Sequence, residues 1–189
     1  MIRRGMPPLL ALLLVTAVTA ASAQQEGNVP EQYAASLATR FDAPASGPFP
    51  NPRLRAAYAA LQAWKQTAIF SDPANFTANW LGPDVCRYNG VYCAPAPSAY
   101  GAVTVAGIDL NHADIAGYIP ASLPLGLPDL ALLHLNSNRF CGLVPDTFRR
   151  LVLLHELDLS NNRFVGPFPD VVLDMPALRF LDLRFNEFE

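Results

Sequence analysis

Apolar positions in the C-terminal half of the chain recur every 24 residues. Leu130, Leu154 and Leu178 share one phase, Leu133, Leu157 and Leu181 a second, and Leu135, Leu159 and Leu183 a third. Asn138, Asn162 and Asn186 keep the same step, as do Phe140, Phe164 and Phe188, and Gly142 and Pro145 return as Gly166 and Pro169. An earlier copy, with Ile108, Leu110, Ile115, Gly117, Ile119 and Pro120, lies 25 residues upstream of the first of these. The alternation in Leu133-His134-Leu135 predicts a short strand with its leucines inward and the middle residue outward. A long fixed period predicts coils that stack, their strands parallel and about 4.8 Å apart. Each asparagine falls where the chain turns inward, and a buried amide there needs backbone partners, so a ladder is expected. Ala113 takes that place in the first copy, and the ladder should begin at Asn138. The Gly-x-x-Pro element suits the tight return on the far side.

One coil cannot bury its leucines alone, so a cap is required. Asn51 can cap a helix with Pro52 at its first position, and Leu54, Tyr58, Leu61, Trp64 and Ala68 then form one apolar face. Trp80 and a Cys86–Cys93 bridge are expected to pin the loop that follows, and Gly90-Val91-Tyr92-Cys93 leads toward the first strand. Further upstream, Arg3 and Arg4, the apolar run Leu9 to Ala20 and the small residues Ala21-Ser22-Ala23 read as a secretory signal peptide cleaved after Ala23. The organisation expected is a signal peptide over 1–23, an irregular arm over 24–50, a cap over 51–102 and about four coils over 103–189. The last coil stops before its Gly-x-x-Pro, which predicts an open terminal coil or a truncated product.

Secretion changes how the other residues read. In an oxidising compartment Cys86 and Cys93, seven apart, are a natural disulfide, and no further ligands stand nearby to make a metal site. Cys141 is then the odd thiol: buried and inert, paired with another chain, or paired with a residue this chain lacks. Asn75-Phe76-Thr77 is a permitted sequon, making Asn75 a candidate glycosylation site on the surface. Removing residues 1–23 takes away two arginines and no acids, leaving 11 basic and 16 acidic side chains, a formal charge of −5 against −3 for the whole chain. That balance argues against nucleic acid and favours cationic partners. Hydrophobic residues at 51% and charged residues at 15% argue against global disorder, and no later apolar run is long enough to span a membrane.

The repeat LxxLxLxxNxFxGxxP resembles the plant-type leucine-rich repeat. The fold class is therefore α/β: a right-handed leucine-rich repeat solenoid with parallel strands on its concave face and a helical, disulfide-bearing N-terminal cap. The run Val105 to Tyr118, with Asn136 to Gly142, Ser160 to Pro169 and Phe180 to Glu189, is similar to plant leucine-rich repeat extensins, as is the Asn51 to Cys93 cap. The resemblance covers about residues 50–189. It implies a secreted cell-wall protein whose repeat domain binds basic, cysteine-containing peptides of the rapid alkalinisation factor type and takes part in wall organisation and growth. The family's cysteine-rich hinge and Ser-Pro tail have no counterpart here.

The outward strand positions are the candidate contact surface. One column reads Asp109, His134, Asp158, Asp182, with Glu156 beside it, Arg184 as the lone arginine, and Phe180 and Phe185 at one end. Adjacent like charges about 5 Å apart favour a basic ligand, and exposed aromatics are the anchors that interfaces use. A basic secreted peptide is the first partner expected. Cell-wall proteins or polysaccharide are others, with contact between copies through Cys141 or the open coil. Two alternative roles stand beside peptide binding: a structural wall component without a ligand, and an inhibitor of secreted pectin-degrading enzymes. No catalytic residue, cofactor or metal is expected. His155-Glu156 lacks the second histidine of a zinc protease, Leu159 standing there. Asp158, Ser160 and Asn162 alternate like a calcium loop, but Arg163 and Pro169 replace its glycine and glutamate. No G-x-S-x-G elbow occurs, and His134 has no nucleophile beside it.

Overall fold

A computed structural model describes residue 40 and residues 49–97 and 101–189. The signal peptide and nearly all of the arm lie outside the described residues. Helix α1 (Pro52–Ala63) opens the cap. Asn51 accepts from the Leu54 N–H at 3.0 Å and donates from Nδ2 to the Val103 carbonyl, so one side chain both starts the helix and ties it to the first coil. The helix runs into a π-helical turn, Trp64–Ala68, and then strand β1 (Ile69–Ser71). Strand β2 (Val91–Pro95) pairs antiparallel with β3 (Val103–Asp109). The Cys86–Cys93 disulfide joins the loop before β2 to β2 itself.

Four coils follow, each making two short strands. Strands β3, β5 (Leu132–His134), β7 (Glu156–Asp158) and β9 (Phe180–Asp182) pair in parallel, and with β2 they form the first sheet, in the order β2-β3-β5-β7-β9. A second sheet, not expected from the leucine pattern, has the order β1-β4-β6-β8-β10. Its repeat strands are β4 (Ala116–Gly117), β6 (Arg139–Gly142), β8 (Arg163–Gly166) and β10 (Glu187–Phe188), and β1 of the cap closes its edge antiparallel to β4. A Cβ at Gly117 would collide with the Ala68 carbonyl, so the close approach of cap and coil needs glycine there. The far side is a short helix α2 (Leu123–Gly126) in the first coil and 3-10 turns at Asp146–Arg150 and Asp170–Asp174 in the next two.

Leu133, Leu157, Phe140, Phe164 and Phe148 are all fully buried, and they meet in one core with the cap residues Leu61, Trp64, Trp80 and Val85. Trp64 sits at the junction. Its ring lies 6.1 Å from that of Trp80 and 5.8 Å from that of Phe140, and its Nε1 donates to the Tyr118 carbonyl at 2.9 Å. Trp80 stacks on Tyr88, whose hydroxyl donates to the Gly82 carbonyl, accepts from Gln62 and is pushed up to about 12 by burial. The aromatic stripe of the cap is thus packed inward.

Candidate functional site

The three ladder asparagines share one geometry. Asn138 donates to the carbonyls of Leu110 and Leu135 and accepts from the Ile115 N–H. Asn162 donates to Leu135 and Leu159 and accepts from Phe140, and Asn186 donates to Leu159 and Leu183 and accepts from Phe164. Each amide therefore bridges two successive coils, and the carbonyls of Leu135 and Leu159 each receive two amides. The residue before each asparagine takes the left-handed conformation: Ser137 at φ 57°, Asn161 at 54° and Phe185 at 56°. Phe185 pays for this position with local strain, since a bulky residue seldom adopts it, and its ring is exposed.

The concave rows are set by strand register. Asp109 pairs with His134, His134 with Asp158, and Asp158 with Asp182. The acids of this row also close the turn that follows each strand. Asp109 accepts from the Asn111 N–H at 3.0 Å, Asp158 from the N–H and hydroxyl of Ser160 at 3.0 and 2.6 Å, and Asp182 from the Arg184 N–H at 3.0 Å. His134 cannot accept in the same way, and in its coil Asn111 Oδ1 takes the Asn136 N–H instead. Sequence reasoning treated these carboxylates as ligand charges and missed this local task. The signal was the acid two residues before a polar turn residue.

The four acids are not equivalent. Arg184 donates to Asp182 through Nε and Nη2, and this pairing holds the Asp182 carboxyl below its ordinary value. His134 Nε2 stands 3.2 Å from Glu156 Oε2. Among the described residues no salt bridge reaches Asp109 or Asp158, although Arg184 also attracts Asp158 through space. Asp109 and Asp158 thus stand without a salt bridge on either side of His134, which lies beside Glu156. Phe180 and Phe185 are exposed at 47% and 73%.

A second row escaped the sequence reading at its cap end. Tyr92 pairs with Gly107, Gly107 with Leu132, Leu132 with Glu156 and Glu156 with Phe180. Tyr92 is 59% exposed and lies within van der Waals reach of a Cβ at Gly107. Val91 is buried and Tyr92 exposed, but Val91-Tyr92-Cys93 has no polar alternation that would have marked it. Beside the strand starts lies a cavity of about 400 Å³ whose lining includes Ala106, Ala131, Ala177, Asp129, His155 and Arg179. Asp129 is already paired with Arg53.

Cys141 is half-buried on β6, its thiol within 3.4 Å of the Gly117 carbonyl, and burial pushes it up. At neutral pH the folded protein should label with a maleimide much more slowly than the urea-unfolded chain, since the thiolate is the reactive form. Equal rates would show an accessible, reactive thiol. Among the described residues no cluster of three histidine, cysteine or acidic side chains could hold a metal ion, and no helix is long and apolar enough to cross a membrane.

A leucine-rich repeat family model matches residues 128–188. The leucine-rich repeat extensin-like protein 2 of Arabidopsis thaliana is 71% identical over 110 residues, covering 58% of this chain and 14% of that protein. Extensin-like protein 1 of the same plant is 58% identical over 152 residues, covering 80% of this chain and 20% of that one. The chain thus spans a fifth or less of the length of these relatives. Among solved structures, the ectodomain of the receptor kinase SOBIR1 from Arabidopsis thaliana superposes with a TM-score of 0.55 at 25% identity, over 70% of this chain and 68% of that one. The PEPR1–AtPEP1 structure gives 0.61 at 23% identity, over 70% and 18%, a likeness of fold. The chain carries a leucine-rich repeat domain homologous to the leucine-rich repeat extensin-like proteins of Arabidopsis thaliana.

Proposed function

We propose that this chain is the repeat module of an extracellular cell-wall protein, and that its concave face docks a basic secreted peptide of the rapid alkalinisation factor type. Homology to extensin-like proteins supports the cell-wall setting. The observation that carries peptide docking is the pair Asp109 and Asp158, which face outward on one row without a salt bridge. A carboxylate in that position gains from an incoming lysine or arginine more than one already neutralised. Tyr92, Leu132, Phe180 and Phe185 offer apolar contact along the same face.

Asp158→Asn tests the charge without disturbing the turn, because the amide oxygen still accepts from Ser160. Binding of a synthetic basic, cysteine-containing peptide to the full chain should weaken about tenfold, near 1.4 kcal/mol. Its salt dependence should fall as well. Asp182→Asn is the control and should change little, since Arg184 already neutralises that carboxylate.

A second reading is a structural role in the wall without a peptide ligand. Two findings favour it: the homology runs to extensin-like proteins, and every acid of the central row already has a structural hydrogen bond. Unchanged affinity in Asp158→Asn, or no binding by the native chain, would select it.

A further inference from the structure

The sequon at Asn75 lies in a turn whose folded geometry bears on when it is used. Asn75 is exposed at the tip, at φ 53°, and its side chain has no hydrogen-bond partner among the described residues. Thr77 is the opposite: it is 3% exposed and its hydroxyl donates to Asp72 Oδ2 at 2.8 Å. The same carboxylate accepts from the N–H groups of Thr77 and Phe76, each at 2.8 Å, and Lys65 donates to the Thr77 carbonyl at 2.7 Å. Burial alone would raise the Asp72 carboxyl, but these bonds and Lys65 outweigh it and hold it low, so it stays an acceptor. N-linked transfer needs two groups presented together, the asparagine amide and the hydroxyl two residues on. The folded turn offers the first and withholds the second.

We propose that Asn75 carries an N-linked glycan that is added only before the cap folds, because closure of the Asp72–Trp80 turn commits the Thr77 hydroxyl to Asp72. The co-reactant is an oligosaccharide on a lipid diphosphate. Asn75 Nδ2 forms a bond to the anomeric carbon, the anomeric carbon–oxygen bond to the diphosphate breaks, and one amide proton passes to solvent. The inference rests on the extracellular reading, since the donor is met in the secretory pathway.

The turn itself packs against the cap loop before β2. The Phe76 ring stands against Gly90, and the Gly90 carbonyl accepts from the Asp109 N–H. The turn that would carry the glycan therefore stands beside β3, the first repeat strand of the concave sheet. Closure of the turn does not require it: Asn75 contributes only backbone bonds, from its N–H to Asp72 and to its carbonyl from Ala78.

The test expresses the full chain in a plant secretory host and measures its intact mass before and after enzymatic deglycosylation. The expected result is a glycan mass on the secreted, disulfide-bonded protein, located to residue 75. Asn75→Gln should lose it and still be secreted. Thr77→Ser should keep it, because serine supplies both the sequon hydroxyl and the bond to Asp72. Order is tested in vitro with the unglycosylated full chain, solubilised oligosaccharyltransferase and lipid-linked donor. The reduced, unfolded chain should be modified and the refolded, oxidised chain should not. A secreted, disulfide-bonded protein bare at residue 75 would overturn the site and leave the extracellular reading standing. Equal modification of folded and unfolded chain would overturn the order. A chain that is neither secreted nor oxidised would overturn the extracellular reading, and the site with it.

Discussion

Replacing Asn162 with alanine should destabilise the full chain by about 3–4 kcal/mol in urea unfolding, as much as deleting a large core side chain. The amide is 8% exposed and makes bonds in two directions. Its oxygen is the acceptor for the Phe140 N–H, and its nitrogen donates to the carbonyls of Leu135, Leu159 and Ser160. Alanine leaves the Phe140 N–H buried without a partner, which costs roughly 1–3 kcal/mol, and weakens three carbonyl contacts besides. Asn162→Asp separates polarity from volume. It keeps the shape and one acceptor oxygen, but it sets a second oxygen against carbonyls that need a donor. If the ladder acts through its hydrogen bonds, the aspartate variant should be no more stable than the alanine variant. A near-neutral aspartate variant would show that Asn162 acts only by filling space.

The ladder also shows which parts of the molecule were legible in the sequence. The 24-residue step alone places Leu133, Leu157, Asn138 and Asn162, because a repeat that must stack imposes one environment on each phase. The disulfide followed from compartment and spacing, and the cap helix from Asn51, Pro52 and one apolar face. The second sheet was not legible. Its strands are two to four residues long, and the segment around Phe140 and Gly142 reads as turn chemistry, since glycine there marks a bend in any setting. The concave acids were located, but not the hydrogen bonds they make. Position alone does not reveal that Asp158 closes a turn through Ser160, or that Arg184 folds back onto Asp182. Both depend on bonds across two residues, and sequence spacing leaves several rotamers open to them. Tyr92 was overlooked because the cysteine beside it suggested a loop tether, whereas β2 extends the concave face by one strand.

Trp64→Ala should be the most damaging change in the cap, with a loss of about 4–5 kcal/mol: roughly 3–5 for removing a fully buried tryptophan, with about 1 of hydrogen bonding included. The magnitude follows from its position. Trp64 belongs to the cap by sequence, yet it meets Phe140 of the second coil and donates to Tyr118 of the first. The neighbouring backbone repeats the link, with the Tyr118 N–H donating to the Ala68 carbonyl and β1 pairing with β4. A cavity there opens between cap and solenoid, at the junction that covers the first coil on the side away from the second. Hydrogen exchange should therefore accelerate in β4 and β6 as well as in α1. Trp64→Phe keeps an aromatic ring against Trp80 and Phe140 but removes the donor, so its cost should be smaller, about 1–3 kcal/mol. If Trp64→Ala instead loosened α1 alone and left β4 and β6 protected, cap and coils would be separate cooperative units, each holding its fold without the other. The contacts of Trp64 argue for one unit, because no other side chain of α1 or the π-helical turn is in ring contact with both Trp80 and a repeat aromatic.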